Sequence, residues 1–317
     1  MTTKTIQRVS TRDMSRKDWL AERRKSIGGS DAAAVAGLSK WATPYTVFLD
    51  KTGALPEKED NEAMRQGRDL EDYVARRWME STGKTVRRDN SIIRSSEYPF
   101  AHADVDRLVI GERAGLECKT TSTLDVRQFH GIEFPEKYYV QCVHYLAVTG
   151  LDRWYLAVLV LGREFHTFTL ERNQAEIDAL MSMEREFWKR VETNSPPPVG
   201  GTKADSDAVK AVFTDDDGET VDLLDRESAI DEYMALKGQR DALDARIAEI
   251  ENNIKADMGK ASGANCGRYR VSWKTQSRNN FQAKEFAADH PDVDLAPYYK
   301  PSLSRPFKIT KLNKEDS

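Results

Sequence analysis

Asp106 and the run Gly115-Leu116-Glu117-Cys118-Lys119 put two carboxylates and an ammonium within reach of one short hairpin. Asp106 falls late in a predicted strand over 102–110, and Glu117 and Lys119 fall in the next, over 114–120. Residues two apart on a strand leave the same face of a sheet, so Glu117 and Lys119 point one way and Cys118 the other. Pairing of the strands across a turn at 111–113 would make the three charged groups converge. Two carboxylates are hard oxygen donors of the kind that Mg²⁺ or Mn²⁺ prefers. A lysine beside them can orient or deprotonate an attacking water and face a scissile phosphate. The triplet alone is weak, because a bare Glu-x-Lys arises by chance roughly once or twice in a chain of this composition. An exposed hairpin with ordinary charges would carry the same letters.

Further residues bear on the same chemistry. Gln141 and Tyr145 stand four apart on a predicted helix and therefore share one face. Glu71 lies on a long helix in Gly67-Arg68-Asp69-Leu70-Glu71. A solvated helical carboxylate and a helix with one polar residue are the plain alternatives for these. Cys118, pointing into the core, is not expected to act as a nucleophile.

The elements that must position these residues are legible in outline. A helix is expected from about Ser15, with Trp19 and Leu20 inward. Ser30 and Asp31 precede Ala32-Ala33-Ala34-Val35-Ala36, an N-cap followed by a helix former and stopped by Gly37. Leu70, Tyr73, Val74 and Trp78 recur at helical steps within 62–81. Short strands are expected at 91–94, 102–110 and 114–120, a helix at 138–149, a hairpin of 154–161 with 164–170 hinged at Gly162, and a helix at 175–191. Helices, a β-meander, a helix and more strands make an α/β (α+β) chain with a mixed sheet flanked by helices. Pro196-Pro197-Pro198-Val199-Gly200-Gly201 opens a linker over 196–219. Leu236, Leu243, Ile247, Ile250, Ile254 and Met258 form a narrow apolar stripe, expected in a helical hairpin or coiled coil. With strands at 268–274 and 306–309 it makes a second module over 220–317, after a first over 1–195.

Bulk properties narrow the class. The 317 residues suffice for one sizeable and one smaller domain, and 39% hydrophobic with 32% charged residues is the balance of a folded protein. A net charge of −4 argues against a protein that only coats nucleic acid, but not against a nuclease that concentrates positive charge around one channel. The three cysteines, Cys118, Cys142 and Cys266, follow no zinc or disulfide spacing and suggest a reducing, cytoplasmic setting. No stretch approaches the ~18 apolar residues of a membrane span.

Asp106, Glu117-x-Lys119 and Gln141-x-x-x-Tyr145, in that order, resemble the PD-(D/E)XK nucleases, and within them the branch of phage lambda exonuclease and the YqaJ-like viral recombinases. The resemblance spans about residues 17–192 and takes in Trp19, Arg23, Ile27-Gly28-Gly29-Ser30-Asp31, Gly67 and Glu71. It implies a restriction-endonuclease-like core and two Mg²⁺ or Mn²⁺ ions. Asp106, Glu117 and the Cys118 carbonyl would bind the metals, Glu71 would act nearby through a water, and Lys119 would assist the attacking water. It also implies that Arg23 and Ser30 bind a terminal 5′-phosphate, with Lys40 as a third positive contact, and that Gln141 and Tyr145 help place the DNA. A helix start at Ser30 and a bidentate arginine suit an anion on physical grounds too. The implied activity is 5′-to-3′ digestion of one strand of linear duplex DNA, leaving a 3′ overhang for a single-strand annealing protein. A phage or prophage origin and a homo-oligomer, such as a trimer, are implied as well. A structure-specific endonuclease on the same core and a non-catalytic DNA-binding scaffold are the rival readings. Val105 stands where the family has a proline before its aspartate, and Asp104, on the same strand face, rivals Asp106 as the ligand. The second module lies outside the compact lambda-type enzyme.

Overall fold

The computed structural model describes residues 5–57, 60–122, 134–300 and 304–311. The chain forms two units, Met1–Phe213 and Thr214–Ser317. In chain order the first contains β1 (Ile6–Ser10), α1 (Arg16–Arg24), β2 (Ile27–Gly28), α2 (Gly29–Val35), α3 (Pro44–Lys51), α4 (Glu62–Thr82), β3 (Val86–Arg88), β4 (Ser91–Ser95), β5 (Ala101–Asp104), β6 (Arg107–Val109), β7 (Ala114–Thr121), α5 (Glu136–Thr149), β8 (Arg153–Val160), β9 (Glu164–Glu171), α6 (Gln174–Glu192) and α7 (Lys203–Val212).

Local chemistry sets the helix starts. Ser15, Thr43, Asn61, Asn173 and Thr202 each turn a side-chain oxygen onto a backbone N–H in the first turn ahead of them. Thr43-Pro44 is therefore a start signal for α3, a helix that apolar periodicity alone does not reveal. The start of α2 differs from expectation. Its cap is Gly28, whose N–H donates to the Asp31 carboxylate at 2.9 Å, and Ser30 lies inside the first turn.

The strands form two sheets, ordered β1-β4-β5-β2 and β3-β6-β7-β8-β9. In the five-stranded sheet only β7 and β8 are parallel, and α5 makes the crossover between them. Helix α5 is buried from Gln141 to Val148 and contacts strands of both sheets. On the other face of the five-stranded sheet, Val74, Ala75 and Trp78 of α4 pack with Val109, Leu116, Cys118 and Tyr155. This is a mixed α/β architecture with helices on both faces of the larger sheet, as the element order implied. The strand expected over 102–110 is two strands. The chain leaves one sheet after Asp104 and enters the other at Arg107, so Val105 and Asp106 occupy the crossing.

The linker expected over 196–219 is replaced in part by α7. Ala208 is 4% exposed within the main core, and buried Asp205 accepts a hydrogen bond from Thr43 Oγ1 at 2.5 Å. The polar letters of 202–212 hid this, because only a narrow face of α7 is covered.

The second unit holds α8 (Glu227–Met258), β10 (Gly263–Cys266), β11 (Tyr269–Ser272) and α9 (Ala283–Asp289). The helical hairpin expected here is one continuous helix of 32 residues, and the strand expected at 268–274 pairs antiparallel with β10. No strand forms at 306–309. Among the described residues no helix is long and apolar enough to cross a membrane.

Candidate active site

Strands β6 and β7 pair antiparallel, with Leu108 opposite Gly115 and Arg107 opposite Leu116. Gly111 makes the turn between them with φ +84°, a left-handed conformation that other residues resist. The same register carried one step further sets Asp106 across from Glu117. Asp106 Oδ2 accepts the Cys118 N–H at 2.8 Å, which fixes its carboxylate against β7. Glu117 is 2% exposed. Its Oε1 accepts from Gln141 Nε2 at 2.8 Å and pairs with Lys119 Nζ at 2.5 Å, while its Oε2 is buried without a partner. A buried carboxylate oxygen with nothing to accept from is costly, and such an atom marks a place where a cation or a water belongs.

Glu71 reaches the same hollow from α4. It is gripped by Arg107, a buried side chain whose Nη2 also holds Asp72 at 2.5 Å. Trp19, Glu71, Asp104, Asp106 and Arg107 line the hollow. The adjoining groove runs past Arg8, Arg12, Arg87 and Arg88 and shares the wall 88–91. An acidic floor thus abuts a groove that also holds Asp13 and Asp89, with Arg8 paired to Asp89 and Arg88 to Asp72, so its excess of positive charge rests on Arg12 and Arg87.

The electrostatics follow from this crowding. Burial, then the charges of Glu117 and Glu71, push the Asp106 carboxyl well above the usual range. Burial also raises Glu117, against the opposing pull of Lys119. Burial works against the Lys119 ammonium, but Glu117 and Asp106 outweigh it and hold its proton on more firmly than usual. Lys119 is therefore a fixed cation here, and of the two roles open to it in the sequence, orienting a water suits it better than deprotonating one. Burial raises the Cys118 thiol far above its ordinary value, which leaves it inert as a nucleophile.

Two opposed carboxylates, one with a bare oxygen, fit one hard divalent cation completed by backbone oxygen and water. Among the described residues no three Asp, Glu, His or Cys side chains close around one point. Lys119 holds Glu117 and Arg107 holds Glu71, so a third carboxylate joins only by exchanging its partner.

Arg23 and Ser30 come together: Arg23 Nη2 donates to Ser30 Oγ at 2.8 Å. The guanidinium stacks 4.6 Å from the Trp19 ring centre, and its Nε lies 3.1 Å from Asp104 Oδ2. Asp104 is ion-paired with Arg23, yet its Oδ2, like Glu117 Oε2, is buried without a hydrogen-bond partner, so it stays a rival to Asp106 in the same hollow. Behind Asp104 stands buried His102, held by Ser26 Oγ at 2.9 Å. Lys40 is exposed, beyond the opposite end of α2, and does not join Arg23. Gln141 and Tyr145, expected beside the DNA, are buried, and their contacts are internal. Gln141 holds both Glu117 and the Tyr145 hydroxyl, the latter at 2.9 Å. The Tyr145 ring lies against Gly29, where an added Cβ would sit 2.5 Å from the ring. Gly29→Ala is accordingly expected to shift Tyr145 and destabilise the protein by about 1–3 kcal/mol. Urea unfolding measures this, and an unchanged midpoint would contradict the packing described.

Sequence reasoning missed Arg107, the Asp104–Arg23 pair and the buried pair of His144 with Glu184. Arg107 left one signal, a lone charge at the start of the apolar run Leu108-Val109-Ile110. The others are long-range pairs with no local trace.

Residues 18–152 match the family model described as the YqaJ-like viral recombinase domain. The chain is also 40% identical over 288 residues to the Bacillus subtilis (strain 168) protein YqaJ, covering 89% of this chain and 90% of that one. The chain belongs to the YqaJ family. That relative is described as uncharacterized. Among solved structures, this YqaJ-family chain is similar to an alkaline exonuclease from Laribacter hongkongensis, at 20% identity and a TM-score of 0.48, over 56% of this chain and 94% of that one. It is also similar to a phage related exonuclease from Haemophilus somnus 129PT, at 13% identity and a TM-score of 0.40, over 53% and 96%.

Proposed function

We propose that this protein is a divalent-metal-dependent DNA exonuclease that digests one strand of linear duplex from a 5′ end and leaves a 3′ overhang for strand annealing. The observation that carries the reading is the convergence of Asp106, Glu117 and Lys119 across the β6–β7 register, with Glu117 Oε2 bare. Membership of a viral-recombinase family supports a substrate of DNA ends and a single-strand annealing partner.

Asp106, Glu117 and the Cys118 carbonyl would hold Mg²⁺ or Mn²⁺, and Glu71 would contribute to a second ion on exchanging Arg107 for it. Bound there, the metal supplies an activated water and neutralises charge on the leaving oxygen. Lys119 orients the water and faces the phosphate. Gln141 is a positioning residue that fixes the Glu117 rotamer, with Tyr145 behind it. Water oxygen bonds to phosphorus as the P–O3′ bond breaks. The products are a mononucleotide and a strand that again begins with a 5′-phosphate. A pocket for that phosphate would therefore engage after every cut. Arg23, held flat by Trp19 and Asp104, supplies it with Ser30.

The expected result for Arg23→Ala is a smaller rate advantage of 5′-phosphorylated over 5′-hydroxyl ends, by about 1.5–3 kcal/mol for a charge-assisted contact. Cleavage at saturating DNA should change far less. Equal rates on the two ends by the unmodified protein would eliminate the pocket while leaving the metal site standing.

A further inference from the structure

Among the described residues the apolar stripe of α8 is left largely open: near its start Tyr233 meets the Phe307 ring edge-on at 6.3 Å, and the rest of the stripe faces outward. Tyr233, Leu236, Leu243, Ile247, Ile250 and Ile254 are between 40% and 64% exposed, and no residue of α8 is buried. Helices without tertiary packing are marginal in water, and most helical stability comes from burying one face. A helix of this length with none of its residues buried needs something to lie against.

The spacing says what. Written as heptads, Tyr233, Arg240, Ile247 and Ile254 occupy a, and Leu236, Leu243, Ile250 and Asp257 occupy d. The face that covers a globular core is wider, about three positions in seven. A strict two-in-seven seam is the shape taken by another helix of the same repeat. We infer that α8 pairs with α8 of a second copy of this chain in a parallel, two-stranded coiled coil.

Charge favours a second copy in that orientation. In a parallel pair each g residue faces the following e residue of the partner helix. That sets Glu232 against Lys237, Gln239 against Asp244 and Arg246 against Glu251 of the other copy, and no like charges meet. An antiparallel pair with its apolar residues overlapped keeps one kind of opposite-charge contact, Lys237 with Glu251, and sets Asp244 beside Asp244, where the parallel pair has two kinds and no repulsion. Ile at two a positions and Leu at two d positions favour two strands. So does Arg240, whose guanidinium can reach water along the edge of a two-stranded seam but would crowd the axis of three. The outward f positions hold Gly238, Ala245 and Asn252, so no second seam is available to build a larger bundle. The inference does not depend on the catalytic reading.

The test uses the full-length chain. Cys266 is exposed and Cys118 and Cys142 are buried, so Cys266→Ser gives a background without a reactive native thiol. In that background Leu243→Cys stands at d, facing its own copy in a parallel in-register pair, and Ala245→Cys stands on the outer face. Mild oxidation is expected to join the Leu243→Cys chains at least roughly tenfold more than the Ala245→Cys chains, since only the former meets disulfide geometry. Light scattering adds a second reading. Leu243→Asp with Ile250→Asp is expected to lower the particle mass toward smaller multiples of the 36.0 kDa chain. Equal cross-linking at the two positions, no cross-linking at Leu243→Cys, or an unchanged mass in the double aspartate variant would overturn the inference.

Discussion

Asp106→Asn is expected to stop cleavage and, without divalent cation, to make the protein more stable. Both effects come from one carboxylate. Asp106 is half-buried beside Glu117 and Glu71, and its negative charge is destabilised by partial burial and by both neighbouring carboxylates. Asparagine keeps the oxygen that accepts the Cys118 N–H and removes the charge. Removing that charge is expected to raise the melting temperature, by roughly 2–4 °C for each kcal/mol relieved in a protein of this size. The turnover cost runs the other way, about 10²–10³-fold, the scale of losing one preorganised electrostatic stabiliser of the transition state. Mg²⁺ should raise the melting temperature of the unmodified protein and not that of the variant. Asp104→Asn is the control. It frees Arg23 and should leave metal stabilisation intact. An inactive Asp104→Asn beside an active Asp106→Asn would reverse the assignment of the ligand.

The second large effect concerns where the first unit ends. A fragment stopped at Phe213 is expected to fold and keep metal-dependent hydrolysis, and one stopped at Asn194 to lose most of its soluble, folded material. The shorter fragment removes α7, uncovering the core beside Ala208 and taking away the carboxylate that Thr43 Oγ1 donates to. Loss of a buried side-chain contact and of a hydrogen-bonded cap together costs several kcal/mol out of the ~5–15 that hold a domain. Circular dichroism and thermal melts of the two fragments decide it. Equal melting temperatures would show that α7 is an appendage and that the boundary lies at Asn194.

These two expectations mark what the sequence could and could not reveal. The convergence of Asp106 with Glu117 was legible because β-strand geometry is local: a turn at 111–113 and a two-residue period are enough to place both carboxylates. The same logic read 102–110 as one strand, because nothing in the letters shows that the partner strand changes at Val105. Helix α3 left its signal in the Thr43-Pro44 cap and not in periodicity. Helix α7 was hidden because a helix that covers the core with one narrow face reads as polar. Gln141 and Tyr145 are legible by their spacing, but their burial is not, nor that Gln141 donates both to Glu117 and to the Tyr145 hydroxyl. Charge pairs such as Arg23 with Asp104 or Arg107 with Glu71 join residues far apart in the chain, and only the fold brings them into contact. Lys40 was placed by proximity in sequence to Ser30, and the intervening helix carries it away.

The most direct test of the central claim is digestion of a 5′-end-labelled, 5′-phosphorylated linear duplex beside a covalently closed circle of the same sequence, with Mg²⁺ and with chelator. The account predicts labelled mononucleotide from the linear DNA in Mg²⁺, none with chelator, and an intact circle. Hydrolysis that persists in chelator, or cutting of the circle as fast as the linear duplex, would contradict it, as would an inert folded protein.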